Sequence, residues 1–338
     1  MKILYLNIRG QAGGDVFFDL LKRTQLENGE QVSSMSFNRY WSFCPQLLSK
    51  FKKVKLEYDV IHSDVLSTYL FKNHSKPIVA SVFEVVTKEF QDKYLNIQQK
   101  LYYQQILKYL HKGIKKADII VTISKASENA VRDCFNINNV KTIYCGIDTG
   151  LFKPTVIEDN QYQDKIKLLF VGNLTKRKGV DLLPQIVSKL DKRFLLFYTT
   201  GLRSPKKIFT NDRMIPLERL SGSELVYWYN LCDILLLPTR LEGFGYSVAE
   251  AMACEKPVVT TNCSSLPEIV INSENGFLCK IDDIEDFVDK IMILADNPAM
   301  RKNIGIKNRK RIIENFSLLK MGNECNELYR KLLRSNKQ

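Results

Sequence analysis

Two carboxylates eight positions apart, Glu242 and Glu250, flank a Gly243-Phe244-Gly245 turn that follows the apolar run Leu235-Leu-Leu-Pro238. Glycines let backbone amides come close to a ligand. The residues after Gly245 read as a helix, and a helix start offers unpaired N–H groups and a positive dipole end, suited to phosphate. Carboxylates on either side can accept hydrogen bonds from sugar hydroxyls. A nucleotide sugar presents its groups in that order: sugar, diphosphate, ribose. A second glycine turn, Gly172 to Gly179, follows the strand-like Lys167–Val171 and carries Asn173, Arg177 and Lys178.

The elements that must position these residues alternate as strand and helix, the mark of a parallel sheet flanked by helices. Expected strands are Ile3–Leu6, Asp59–His62, Ile78–Phe83, Ile119–Ile123 and Thr142–Tyr144, with helices over Asp15–Asn28 and Asn96–Lys116 and Ser124 as an N-cap. Residues 152–163 are polar, contain Pro154 and read as a linker. A second series then opens, with strands at Lys167–Val171, Arg193–Tyr198, Met214–Leu217, Ile234–Leu237 and Pro257–Thr260. Helices are expected at Val180–Leu190, Leu225–Leu231 and Ser247–Ala253. Two such sheets facing each other would form a cleft at the carboxyl ends of their strands, where parallel sheets bind ligands.

Composition sets the bounds. A chain of 338 residues with 45% hydrophobic and 26% charged residues is ordinary globular material for two domains. The net charge of +13 is spread over both halves and favours anionic partners. Eight scattered cysteines, with no CxxC pair and three isolated histidines, lack zinc spacing and read as reduced core residues of a cytosolic protein. The start reads as a short strand rather than a signal peptide, and no run of 18 apolar residues occurs. Basic residues interleaved with aromatics, in Lys50–Lys55 and around Tyr102, Tyr103, Lys108, Tyr109 and Lys112, suit an anionic membrane surface. No nucleic-acid-binding motif accompanies the charge.

The Glu242–Glu250 stretch resembles the E-x7-E signature of the retaining GT-B glycosyltransferases of family 4 (glycosyl transferases group 1). Other segments fall in that family's order. Leu168 to Asp181 is similar to its phosphate-binding loop. Ala117 to Ser124 and Gly146 to Pro154 resemble the end of its first domain, and Ser264 to Glu268 and Asn275-Gly276 resemble the stretch after the E-x7-E helix.

The resemblance implies an α/β GT-B fold: two Rossmann-like parallel-sheet domains across a cleft, with a C-terminal helix crossing back. Residues 1–155 would form the acceptor-side domain, 165–315 the nucleotide-sugar domain, and 318–334 the returning helix. Glu242 would bind donor-sugar hydroxyls. Gly243, Phe244 and Gly245 would present backbone to that sugar, and amides near Tyr246 and Ser247 would meet the diphosphate. Glu250 would hold the ribose, Lys178 with Arg177 would neutralise the diphosphate, and Gly14 would approach the phosphate from the first domain. Gly172 and Asn173 belong to the phosphate loop, and Leu220 would pack on the base. Lys178 and Glu242 carry the catalytic roles. No metal or resident cofactor is expected. The co-substrate is a nucleotide sugar, with UDP favoured over GDP.

Two positions depart from the family pattern. Asn173 stands where an Arg is frequent, and Phe83-Glu84 stands where a His usually follows the third strand. Taken alone, the same residues also have plain readings: Glu242, Glu250 and Lys178 as solvated side chains, Gly13-Gly14 as a tight turn, and Asn173 as a turn former. Leu220 reads as packing and His62 as a core histidine. The expected activity is retaining, metal-independent transfer of a sugar to an acceptor hydroxyl in cell-surface polysaccharide or glycolipid assembly, such as lipopolysaccharide or capsule. The expected place is cytoplasmic, at the inner membrane face. The rival reading is a non-catalytic nucleotide-sugar-binding protein of the same fold.

Overall fold

A computed structural model of the chain describes residues 1–10, 13–51, 57–71, 75–200, 209–218 and 220–335. The basic Lys50–Lys55 stretch falls mostly outside them. The chain divides into two compact units, Met1–Gly146 with Leu318–Gln338, and Ile147–Ser317. At the start of the second, the Ile147 N–H donates to the Phe316 carbonyl (2.7 Å), tying the beginning of that unit to its end.

The first unit runs β1 (Lys2–Arg9), α1 (Gly13–Glu27), β2 (Gln31–Asn38), α2 (Leu48–Phe51), β3 (Val60–Asp64), β4 (Ile78–Val82), α3 (Lys88–Tyr94), α4 (Ile97–Ile114), β5 (Ile119–Thr122), α5 (Lys125–Phe135) and β6 (Val140–Thr142). Its sheet has the order β2-β1-β3-β4-β5-β6, and every pairing is parallel. The second unit runs β7 (Ile166–Phe170), α6 (Leu183–Lys189), β8 (Phe194–Thr199), β9 (Met214–Leu217), α7 (Gly222–Leu231), β10 (Ile234–Leu237), α8 (Tyr246–Ala253), β11 (Val258–Thr261), α9 (Leu266–Ile269), β12 (Phe277–Cys279), α10 (Ile284–Ala295) and α11 (Pro298–Asn315). Its parallel sheet has the order β12-β11-β10-β7-β8-β9. Both are doubly wound α/β sheets, and their central strands are buried runs of Ile, Leu and Val.

The last helix, α12 (Leu318–Ser335), packs in the first unit against α1. Gly322 permits this approach, because a Cβ there would lie 2.5 Å from Thr24 Cγ2. Gln25 Nε2 donates to the Gly322 carbonyl (2.9 Å). Further along, Tyr329 Oη lies 2.6 Å from His62 Nδ1, and His62 Nε2 lies 2.7 Å from Ser81 Oγ. His62 is thus a core histidine with both ring nitrogens engaged. Burial drives its pKa down to about 3, so it is neutral.

Several elements differ from the sequence-based expectation. Strand β2 went unrecognised because most of its side chains are exposed, so no apolar run marks it. The expected Thr142–Tyr144 strand pairs two residues earlier, over Val140–Thr142, although the Ile143 N–H still donates to the Thr122 carbonyl (2.9 Å). Helix α6 starts at Leu183 rather than Val180, with Pro184 in its first turn where a missing N–H costs nothing. Ser124 caps α5 as expected, accepting from the Ser127 N–H (3.1 Å). Among the described residues no helix is long and apolar enough to cross a membrane.

Candidate functional site

In the second unit the loops after β7 and β10 interlock at the carboxyl ends of their strands. Gly179 ends the short turn Lys176–Lys178 in the left-handed region, at φ +71°. A Cβ there would stand 1.8 Å from the Pro238 carbonyl oxygen, so only glycine lets the loops meet. The Arg240 N–H then donates to the Arg177 carbonyl (2.8 Å), and Arg177 Nη1 donates to the Leu241 carbonyl (3.0 Å).

This braid brings Lys178 to Glu242. Lys178 Nζ lies 2.5 Å from Glu242 Oε1, with the two side chains 14% and 6% exposed. The lysine stem runs beside Gly172, where a Cβ would sit 3.7 Å from Lys178 Cδ, and Gly172 is pinned by its N–H to Thr199 Oγ1 (3.0 Å). Burial alone would raise the Glu242 pKa. The Lys178 ammonium, followed by the Arg177 guanidinium, outweighs it and holds the carboxyl below its ordinary value. Glu242 is therefore an anion at neutral pH, and the pair is a close, largely buried zwitterion.

The turn behind Glu242 is held from β11's following loop. Ser265 Oγ donates to the Phe244 carbonyl (2.8 Å), with the Glu242 carbonyl at 3.2 Å. Phe244 is buried, its ring 5.4 Å from Tyr246 and 5.8 Å from Phe316, so its side chain anchors the turn in the core. Gly243 is half-buried. Gly245 starts α8 at φ +105°, and a Cβ there would meet Leu266 Cδ2 at 2.9 Å. The N-cap position of α8, Gly245, offers no side-chain cap. The first-turn amides of Tyr246 and Ser247 therefore stand at an end where dipole and donors both favour an anion.

Glu250 lies one turn further along α8, half-buried. Tyr229 of α7 donates its hydroxyl to Glu250 Oε2 (2.8 Å). Burial pushes the Glu250 carboxyl up to about 7, and the tyrosine bond offsets only part of that. Lys178, Arg177, Gly172, Glu242 and the 243–247 turn are thus gathered in one unit with Glu250 on the adjoining helix. Asn173 is exposed and its carbonyl accepts from the Thr175 N–H (2.8 Å), while Leu220 is half-buried just ahead of the α7 cap Ser221.

Gly14 belongs to the first unit. It stands in the first turn of α1, where a Cβ would come within 2.9 Å of the Phe83 ring. Phe83 itself packs edge-on against Phe17 (5.5 Å) and Phe18 (5.9 Å). The position where a His is frequent in the family is an aromatic packing position here.

Three residues escaped sequence reasoning: Arg240, Tyr229 and Ser265. Arg240 had a signal, a charged residue at the mouth of a buried apolar strand. Ser265 lay in the Ser264–Glu268 stretch, but its bonds to the turn did not show there, and Tyr229 had no signal, because its partner lies 21 residues away. Among the described residues no group of three or more His, Cys, Asp or Glu is placed to hold a metal ion.

Residues 21–151 match the family model described as Glycosyltransferase Family 4, and residues 153–311 match Glycosyl transferases group 1. The chain is 31% identical over 220 residues to the uncharacterised glycosyltransferase MJ1178 of Methanocaldococcus jannaschii, covering 64% of this chain and 60% of that protein. It is 28% identical over 218 residues to the capsular polysaccharide biosynthesis glycosyltransferase CapM of Staphylococcus aureus, covering 59% and 57%. The match therefore spans less than two thirds of these curated relatives. Among solved structures, sucrose-phosphate synthase from Thermosynechococcus elongatus superposes with a TM-score of 0.87 at 18% identity, over 99% of this chain and all of that one. Anabaena HepE in complex with UDP-glucose gives 0.75 at 16% identity, over 98% of this chain and all of that one. With two adjoining family matches, two six-stranded parallel sheets and this fold likeness, the chain belongs to the group 1, family 4 glycosyltransferases of the GT-B fold.

Proposed function

We propose that this protein transfers a sugar from a UDP-sugar to an acceptor hydroxyl with retention of anomeric configuration. The observation that carries the reading is the Lys178–Glu242 pair together with the uncapped start of α8. In the reaction the bond from the sugar's anomeric carbon to the phosphate oxygen breaks. A bond from that carbon to the acceptor oxygen forms on the same face, and the leaving phosphate takes the acceptor's proton. Negative charge builds on the phosphate oxygens. Lys178 and the Tyr246 and Ser247 amides meet that charge, and fixed groups of this kind are often the largest catalytic contribution. The reading gives this task to the protein's own cation and dipoles and needs no metal.

Glu242 holds Lys178 in place and accepts from donor-sugar hydroxyls. Glu250 accepts from the ribose hydroxyls, Arg177 adds positive potential, and Gly172 and Asn173 line the phosphate loop. Leu220 flanks the base. UDP as the carrier is supported by the fold likeness to HepE, solved in complex with UDP-glucose, and polysaccharide assembly by the sequence likeness to CapM. A thermal-shift screen of UDP-, GDP- and ADP-sugars tests the reading. UDP-sugars are expected to raise Tm by mass action, and no shift with any nucleotide sugar would contradict it. The packing role of Phe83 favours, as a second reading, a protein that binds the donor without transferring from it. Release of UDP during turnover excludes that.

The carboxyl of Glu250 makes donor binding pH-dependent. Its pKa is raised to about 7, so the hydrogen-bond-accepting carboxylate is lost as pH falls through that value. The diphosphate of a UDP-sugar stays ionised throughout, so the titration belongs to the protein. Calorimetry from pH 8 to pH 6 should show donor affinity falling by about tenfold in the wild type. Affinity in Glu250→Gln should stay flat. A flat wild-type profile would remove Glu250 from the ribose role.

The acceptor side is proposed to work at an anionic membrane surface. Ile97 and Leu101 lie one turn apart on α4 and are 77% and 62% exposed. Beside them the Phe43 ring lies tilted 5.7 Å from Tyr102, and Tyr109 donates to the Phe43 carbonyl (3.0 Å). Helix α4 carries Lys100, Lys108 and Lys112 and no acidic residue. Apolar tips among cations suit a bilayer with anionic lipid. Vesicles containing phosphatidylserine should bind the protein, and added salt should release it. Leu101→Glu should weaken binding by about tenfold, the worth of one buried apolar side chain. Equal binding to pure phosphatidylcholine would contradict the proposal.

A further inference from the structure

Arg240 stands two residues before Glu242, and its side chain is 4% exposed. Its guanidinium joins two separate stretches of chain, residues 176–181 and Asp282. Nη1 and Nη2 grip Asp181 end-on, at 2.7 and 2.9 Å. Nε donates to Asp282 (2.6 Å). Nη1 also donates to the Lys176 carbonyl, and the Arg240 backbone N–H to the Arg177 carbonyl (2.8 Å). Both carbonyls belong to the short turn that carries Lys178. A planar fork can satisfy this set. A lysine ammonium keeps the charge but cannot span two carboxylates and a carbonyl.

We propose that Arg240 is a positioning residue for sugar transfer: clamped by Asp181 and Asp282, it sets the Lys176–Lys178 turn so that Lys178 stands at Glu242 before the donor arrives. Arg240 acts through Lys178 and needs no contact with the donor. A cation held in advance contributes more to the transition state than one recruited during reaction, because no reorganisation remains. The inference rests on the proposed role of Lys178 at the leaving diphosphate.

The first test needs no donor. Limited acylation with acetic anhydride, read lysine by lysine by mass spectrometry, compares wild type with Arg240→Lys. Lys178 should react about fivefold faster in the variant, the equivalent of one lost side-chain hydrogen bond. Lys167, paired with Asp159 and Asp233 in the same unit, should not change. Unchanged Lys178 reactivity would overturn the proposal. An equal rise at Lys167 would overturn it too, because the arginine would then support the unit as a whole. Asp282→Asn keeps the grip on Asp181 and should shift Lys178 the same way by a smaller factor, should Arg240→Lys fold poorly.

The second test is a double-mutant cycle on UDP release from UDP-glucose. Arg240→Lys should lower kcat by about tenfold in the wild-type background and by less than about twofold in Lys178→Ala. Equal losses in both backgrounds would overturn the positioning role. Should the wild type release UDP from no nucleotide sugar, the proposed function falls, and acylation alone decides the role of Arg240.

Discussion

Lys178→Ala is expected to slow sugar transfer by about two to three orders of magnitude, the usual loss when one preorganised charge-stabilising donor is removed. Lys178 is the cation that reaches Glu242, at 2.5 Å, and it sits next to the glycine turn that leads out of β7. Its loss has two consequences. In the proposed reaction the leaving diphosphate loses a positive partner. Glu242, 6% exposed, also loses the largest charge that offsets its burial, so its carboxyl pKa should rise. Glu242→Gln separates the two effects, because it keeps the ammonium while removing its anchor. Steady-state rates of UDP release should then rank wild type above Glu242→Gln and Glu242→Gln above Lys178→Ala. A Lys178→Ala enzyme within about threefold of wild type would be incompatible with the mechanism.

Gly179→Ala should cost stability heavily. The Cβ it introduces would lie 1.8 Å from the Pro238 oxygen and 2.6 Å from its carbon, and φ is +71°. Backbone cannot rotate away as a flexible side chain can, so the two loops must part. Overpacking and the left-handed penalty together suggest a loss of about 3 kcal/mol or more. Gly172→Ala is the matched control in the same loop. The nearest atom to its Cβ is a ring carbon of Phe170 at 3.5 Å, ordinary contact, so its Tm should stay close to wild type. Equal melting temperatures for Gly179→Ala and wild type would show that the loops are not interlocked as described.

What could be read from the chain followed the range of the interactions. The β10 strand, the Gly-Phe-Gly turn and α8 were legible because an apolar run, two glycines and a helix start are local signals, and Glu242 and Glu250 come with them. Strand β2 was not, since its exposed residues carry no pattern of burial. Nor was the ion cluster of Arg240, whose acidic partners lie 59 and 42 positions away. The upward shift of Glu250 depends on burial of the helix that bears it and on Tyr229 from another element. Phe83 shows the opposite limit. Its departure from the family's His was visible, but its packing against Phe17 and Phe18 required the fold.

The most direct measurement is a crystal structure of the protein with UDP. The diphosphate should lie at the first turn of α8, within hydrogen-bond distance of Lys178 Nζ, with both ribose hydroxyls directed at the Glu250 carboxylate. UDP bound elsewhere on the protein, or a diphosphate with Lys178 turned away from it, would contradict the account.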